Sequence, residues 1–75
     1  MNRYALGNNI VNRLREIGMS QYRLAKLLGV TQSALSRWVN GQREPRASML
    51  YKISKILGVT MDDLMKGVDD ERGQS

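Results

Sequence analysis

The sequence predicts an all-α fold of five short helices, and two observations point to it. One seven-residue pattern occurs three times, as Gly18-Met19-Ser20-x3-Leu24, Gly29-Val30-Thr31-x3-Leu35 and Gly58-Val59-Thr60-x3-Leu64. At each copy a glycine takes the left-handed conformation that closes one helix, and a Ser or Thr hydroxyl caps the next. The apolar residue ahead of the cap staples onto the leucine at the fourth helical position. Between these junctions the apolar residues recur at steps of three and four, and no alternating strand pattern competes.

The first helix spans about 6 to 17 on Leu6, Ile10, Leu14 and Ile17, with Val11 beside them, and stops at Gly18. The second, about 21 to 28, buries Leu24, Ala25 and Leu28, and at roughly two turns it is too short to be stable alone. The third, about 32 to 40, buries Leu35 and Trp38. Gly and Pro mark Gly41-Gln42-Arg43-Glu44-Pro45 as a loop. Leu50, Ile53, Ile56 and Leu57 define a fourth helix at about 46 to 57, and Thr60 with Asp63 forms a variant capping box for a fifth at about 61 to 67. Residues 1–67 thus make one domain, and 68–75 read as an acidic, flexible tail.

A chain of 75 residues has room for one modest core. It contains no cysteine and no histidine, which removes disulfides, thiol chemistry, most zinc sites and the commonest general base. A binding module is expected, not an enzyme, with no cofactor. No metal is expected either, because Asp62, Asp63, Asp69, Asp70 and Glu71 lack the alternating ligands and central glycine of an EF-hand. No apolar run approaches the roughly 20 residues of a membrane span and no signal-peptide pattern stands at the N-terminus, so a cytoplasmic protein is expected. The net charge of +5 is unevenly spread: residues 1–61 carry ten Lys or Arg against two Glu, and residues 62–75 carry two against five acids. A basic body is the electrostatic footprint of a protein that meets phosphate backbones, although a merely solvated surface gives the same count.

Gly18 and Gly29 lie eleven residues apart, so the second and third helices meet abruptly and cross steeply, as in a helix-turn-helix. Ala25 belongs where they cross, since close approach tolerates little beyond a methyl group. With Leu35 and Trp38 turned inward, Gln32, Ser33, Ser36 and Arg37 share the outer face of the third helix. A major groove admits such a helix: Gln pairs with adenine, Arg with guanine, and Ser with several base edges.

Residues from about 6 to 66 resemble the lambda-repressor-like DNA-binding domain, of the Cro and repressor or xenobiotic-response-element type. The resemblance is carried by Leu6-Gly7, Ser20-Gln21, Leu24-Ala25-x-x-Leu28-Gly29-Val30-Thr31-Gln32-Ser33, Ser36-Arg37-Trp38-x-x-Gly41, Pro45, and Leu50-x-x-Ile53 through Leu57-Gly58-Val59. It implies a compact five-helix domain in which Gln21 holds a phosphate from the start of the second helix and braces Gln32, which reads a base with Ser33. Asn40, with Gly41, then offers an amide to a phosphate, although a C-terminal helix cap explains Gly41 equally well. Relatives often carry acids where this chain has Tyr22, Arg23 and Val39, so an ion pair made through the last of these is absent here. Leu27 stands at a place that is commonly polar and provides either extra packing or an interaction surface.

Arg23 and Arg46 put cations at helix starts, against the dipole, at about 0.3 to 1 kcal/mol each. A phosphate bound there reverses the sign, whereas side chains bent toward water merely lessen the cost. Base reading is therefore expected from Gln32, Ser33, Ser36 and Arg37, and phosphate contact from Gln21, Arg23, Thr31, Asn40, Arg43 and Arg46. Met61, Met65 and Val68 fall at i, i+4 and i+7 and are expected to leave an apolar stripe for a homodimer interface; a few surface methionines at a fraying end are the alternative. The sequence reads as a prokaryotic or phage repressor that binds a near-palindromic operator in double-stranded DNA as a dimer. The other class is an antitoxin-like protein-interaction module on the same fold.

Overall fold

The computed structural model describes residues 3–68 as α1 (Ala5–Ile17), α2 (Gln21–Leu28), α3 (Gln32–Val39), α4 (Ala47–Leu57) and α5 (Met61–Leu64), with no strand among the described residues. The three repeated junctions share one geometry. Gly18, Gly29 and Gly58 lie at φ 71°, 75° and 70°. The residue after each glycine donates its N–H back across the helix end, Met19 to Leu14 at 2.9 Å, Val30 to Ala25 at 3.0 Å and Val59 to Ser54 at 3.0 Å. This is the long bond of a Schellman close. Two residues past each glycine a hydroxyl accepts an amide from the next helix's first turn: Ser20 Oγ from Arg23, Thr31 Oγ1 from Ala34, Thr60 Oγ1 from Asp63, each at 3.0 Å. Met19, Val30 and Val59 pack against the core beside these caps.

Ile10, Leu24, Leu35, Ile53, Leu57 and Leu64 are the large side chains sealed from solvent, and every helix supplies at least one. α1 packs along α3, α4 and α5, while α2 bridges α3 and α4. Trp38 is half-buried against this core and Ala25 is fully inside it. Two polar side chains of α1 close the ends of other helices. Asn9 Nδ2 donates to the carbonyls of Leu64 (2.7 Å) and Lys66 (2.8 Å), and Arg13 Nε donates to that of Leu57 (2.8 Å). Carbonyls that a helix end leaves unpaired are thereby satisfied.

The end of the chain departs from the sequence-based expectation. α5 stops at Leu64, Gly67 turns the backbone with φ 86°, and Val68, with its N–H donating to Met65 O at 3.0 Å, folds back into the core at 6% exposure. The helical spacing that put Met61, Met65 and Val68 on one solvent-facing stripe does not persist through this turn. Val68 is a core residue, and Met61 and Met65 are half-buried against the same core. The proposed dimer stripe is corrected accordingly, and the acidic tail beyond Val68 lies outside the described residues. Ile17 also differs: at the last turn of α1, it is 38% exposed.

Gly7 has a role that its local sequence does not announce. It lies where α1 crosses the end of α3, and a β-carbon there would come within 2.6 Å of the Val39 carbonyl carbon and 2.8 Å of its Cα. The obstacle is backbone, so it cannot rotate away. That clash outweighs the ~1 kcal/mol by which alanine is favoured over glycine inside a helix. Gly7→Ala should therefore destabilise the domain by about 1 to 3 kcal/mol, and Ala25→Leu, which over-packs a buried site, by a similar amount. Thermal denaturation checks both, and an unchanged or raised midpoint in either variant would contradict the packing at that position.

Candidate nucleic-acid interface

Because Leu35 is buried and Trp38 and Val39 lean on the core, α3 turns its remaining side outward. Gln32, Ser33, Arg37 and Asn40 are exposed there and Ser36 is half-buried between them, so the structure brings the four expected base-reading residues and Asn40 onto one face. Asn40 Nδ2 donates to Ser36 Oγ at 3.2 Å, a pair that sequence reasoning missed although i, i+4 spacing on a helix signals it. Thr31 caps the helix from an exposed position at its start.

After α3 the chain is pinned before it can wander. Gln42 N–H donates to Arg37 O at 2.8 Å and Gly41 N–H to Trp38 O at 3.2 Å, with Gly41 at φ 74°. Pro45 is buried, and the loop delivers Arg43 and Arg46 to a groove between α3 and the start of α4. Arg37, Arg43, Arg46 and Ser48 line this groove with the half-buried Trp38 and Met49, so three arginines, one from α3 and two from the loop, border it together with the single acid Glu44. Gln21 and Arg23 are exposed at the start of α2, across the turn. No hydrogen bond joins Gln21 to Gln32 among the described residues, so the bracing that the resemblance implies is not seen. Lys26 lies over the Tyr22 ring at 5.4 Å, and Leu27 is 47% exposed beside it.

A helix-turn-helix family model matches residues 11–64. The chain belongs to the lambda-repressor-like helix-turn-helix family. Among solved structures, it is similar to the nuclear magnetic resonance structure of the DNA-binding domain of the P22 C2 repressor, at 34% identity and a TM-score of 0.78, over 89% of this chain and 88% of that one. No curated protein matches in sequence. No described helix is long and apolar enough to cross a membrane.

Of the four helices in this family member that are entered through an extended N-cap residue, one differs from the other three. Ser20, Thr31 and Thr60 precede α2, α3 and α5 in the extended conformation of an N-cap, and each supplies a capping oxygen. Arg46 holds the same conformation, φ −68° and ψ 160°, yet caps nothing. The sequence expected Arg46 within the first turn; it is the residue just before it. α5 carries Asp62 and Asp63 in its first turn, whereas α2, α3 and α4 have no acid there. Arg46→Asp should thus stabilise the fold by about 1 kcal/mol, since a capping oxygen and a favourable charge enter a backbone already shaped for them. Denaturant unfolding measures it, and a loss of stability would mean that Arg46 contributes packing that its conformation does not reveal.

Proposed function

We propose that this protein is a sequence-specific DNA-binding transcriptional regulator of the repressor kind, acting in the cytoplasm by occupying a near-palindromic operator as a dimer. The observation that carries the proposal is the outward face of α3, where Gln32, Ser33, Ser36 and Arg37 stand together beside the groove of Arg37, Arg43 and Arg46. A helix fits the major groove, and the tips of these side chains match what base edges offer. The arginines, with the amides at the start of α4, form a surface suited to phosphates. Kinship to the DNA-binding domain of the P22 C2 repressor supports the same conclusion. Occupying a promoter and blocking polymerase would suffice as mechanism.

Dimerisation is proposed from the geometry of recognition, since one domain covers about half of a typical operator and two-fold pairing completes it. Met61 and Met65 keep part of their surface outside the core and remain available to such a contact. The antitoxin-like reading draws instead on Tyr22 and Leu27, 56% and 47% exposed on α2. Selection of bound sites from random duplexes separates the two. A regulator returns inverted half-sites about one helical turn apart, and a protein-interaction module returns no enriched sequence.

Gln32→Ala should lower specific affinity by about 1 to 3 kcal/mol and relax preference at one base pair, leaving nonspecific binding nearly unchanged. Equal losses on operator and random duplex would sink that role. Arg43→Ala should weaken both duplexes alike and make the salt dependence shallower by about one unit of slope. A changed base preference would show that Arg43 reads sequence. Arg46→Asp, for all its gain in stability, should bind every duplex less tightly; affinity equal to the parent's would remove Arg46 from the phosphate contacts.

A further inference from the structure

The outer face of α3 contains one pair of side chains that sets its own polarity. A serine hydroxyl has one proton to give and two lone pairs to accept with. Asn40 Nδ2 donates to Ser36 Oγ at 3.2 Å, so one lone pair is taken and the proton is left to point elsewhere. Inside a helix its usual destination is a carbonyl one turn back. Ser54 does this, donating from Oγ to Tyr51 O at 2.7 Å. Ser36 donates to no such carbonyl among the described residues. The end of α3, the negative end of its dipole, also favours turning the amide's donor side inward and its oxygen outward.

We propose that Asn40 is a positioning residue that holds Ser36 as a hydrogen-bond donor toward DNA, so that Ser36 selects a base with an acceptor on its major-groove edge. The proposal rests on α3 being the base-reading helix. Guanine presents N7 and O6 there, adenine N7 and thymine O4, while cytosine presents only its N4 amino group. A cytosine opposite Ser36 sets donor against donor and leaves both unsatisfied. Ser36 therefore excludes cytosine at one position of the half-site, and its selectivity is decided one turn away by a side chain that need touch no base.

The test measures ratios between duplexes that differ only at the base pair whose preference is lost in Ser36→Ala. The parent should disfavour cytosine there by about three- to tenfold, the worth of one net hydrogen bond. Asn40→Ala should shrink that ratio toward one. Asn40→Asp should invert it, because a carboxylate only accepts: the Ser36 proton turns to the aspartate, and lone pairs now face the groove and favour the amino groups of cytosine or adenine. The added charge lowers affinity for all duplexes alike and cancels in the ratio. Asn40→Asp combined with Ser36→Ala should show no preference, proving that the inversion acts through Ser36. If Asn40→Asp keeps the parent's ratio, or if no base pair loses its preference in Ser36→Ala, the proposal is overturned while DNA binding stands. If the parent enriches no sequence at all, the DNA-binding reading beneath it falls. Both side chains lie on the outer face, and unfolding curves for each variant show that the fold is retained.

Discussion

The three residues Gly29, Val30 and Thr31 are the constraint on which the rest depends. Within them one helix closes through a left-handed glycine and another opens through a capping hydroxyl, so the axis turns sharply with no slack to absorb error. α2 and α3 have eight residues each, below the roughly 12 to 15 at which an isolated helix is even marginal in water. Their stability comes from burial. Leu24, Leu28 and Leu35 are each worth about 1.5 to 3 kcal/mol when removed from water, against about 1 kcal/mol for a cap. The caps act on direction more than on strength: they decide where α3 begins, and the burial of Leu35 then decides which side of it faces away.

Much of this was legible because it is local. A glycine, an apolar residue and a hydroxyl in sequence can be recognised wherever they stand, and the helix boundaries followed to within a residue or two for α1 to α4. The outward face of α3 follows from Leu35 and Trp38 by periodicity alone. What was not legible depends on distant partners. Gly7 must be glycine because of Val39, thirty-two residues away, and nothing near Gly7 says so. Asn9 and Arg13 resemble any solvated polar residues of α1 until α4 and α5 end against them. At the C-terminal end, periodicity misled: Gly67 ends the register, and Val68, assigned to solvent by helical spacing, belongs to the core.

Ser36 and Asn40 mark a middle case. Both were singled out from the sequence, one for bases and one for phosphates, yet their spacing on a helix already made them neighbours. The structure joins two separately assigned roles through one hydrogen bond. In a hydroxyl, chemistry alone leaves donor and acceptor equally available, so the neighbour that occupies one of them carries the information.

The placement of charge completes the division between the two sides of the molecule. Arg13, facing the inner side of α1, has its partners within the fold: the Leu57 carbonyl and Glu16 at 3.1 Å. Arg23, Arg37, Arg43 and Arg46 are exposed, and no acid among the described residues pairs with any of them. Exposed ion pairs contribute little to stability, about 0 to 1 kcal/mol, so leaving these arginines unpaired forgoes almost nothing in the folded state. On DNA the balance is different. An arginine already held by a carboxylate would have to break that pair before meeting a phosphate, whereas a solvated one releases only loosely held ions and gains the full counterion term. Arg46, an extended N-cap residue that supplies no capping oxygen, follows the same logic: a small and bounded loss in the free protein sits where an approaching anion would find amides, dipole and guanidinium together.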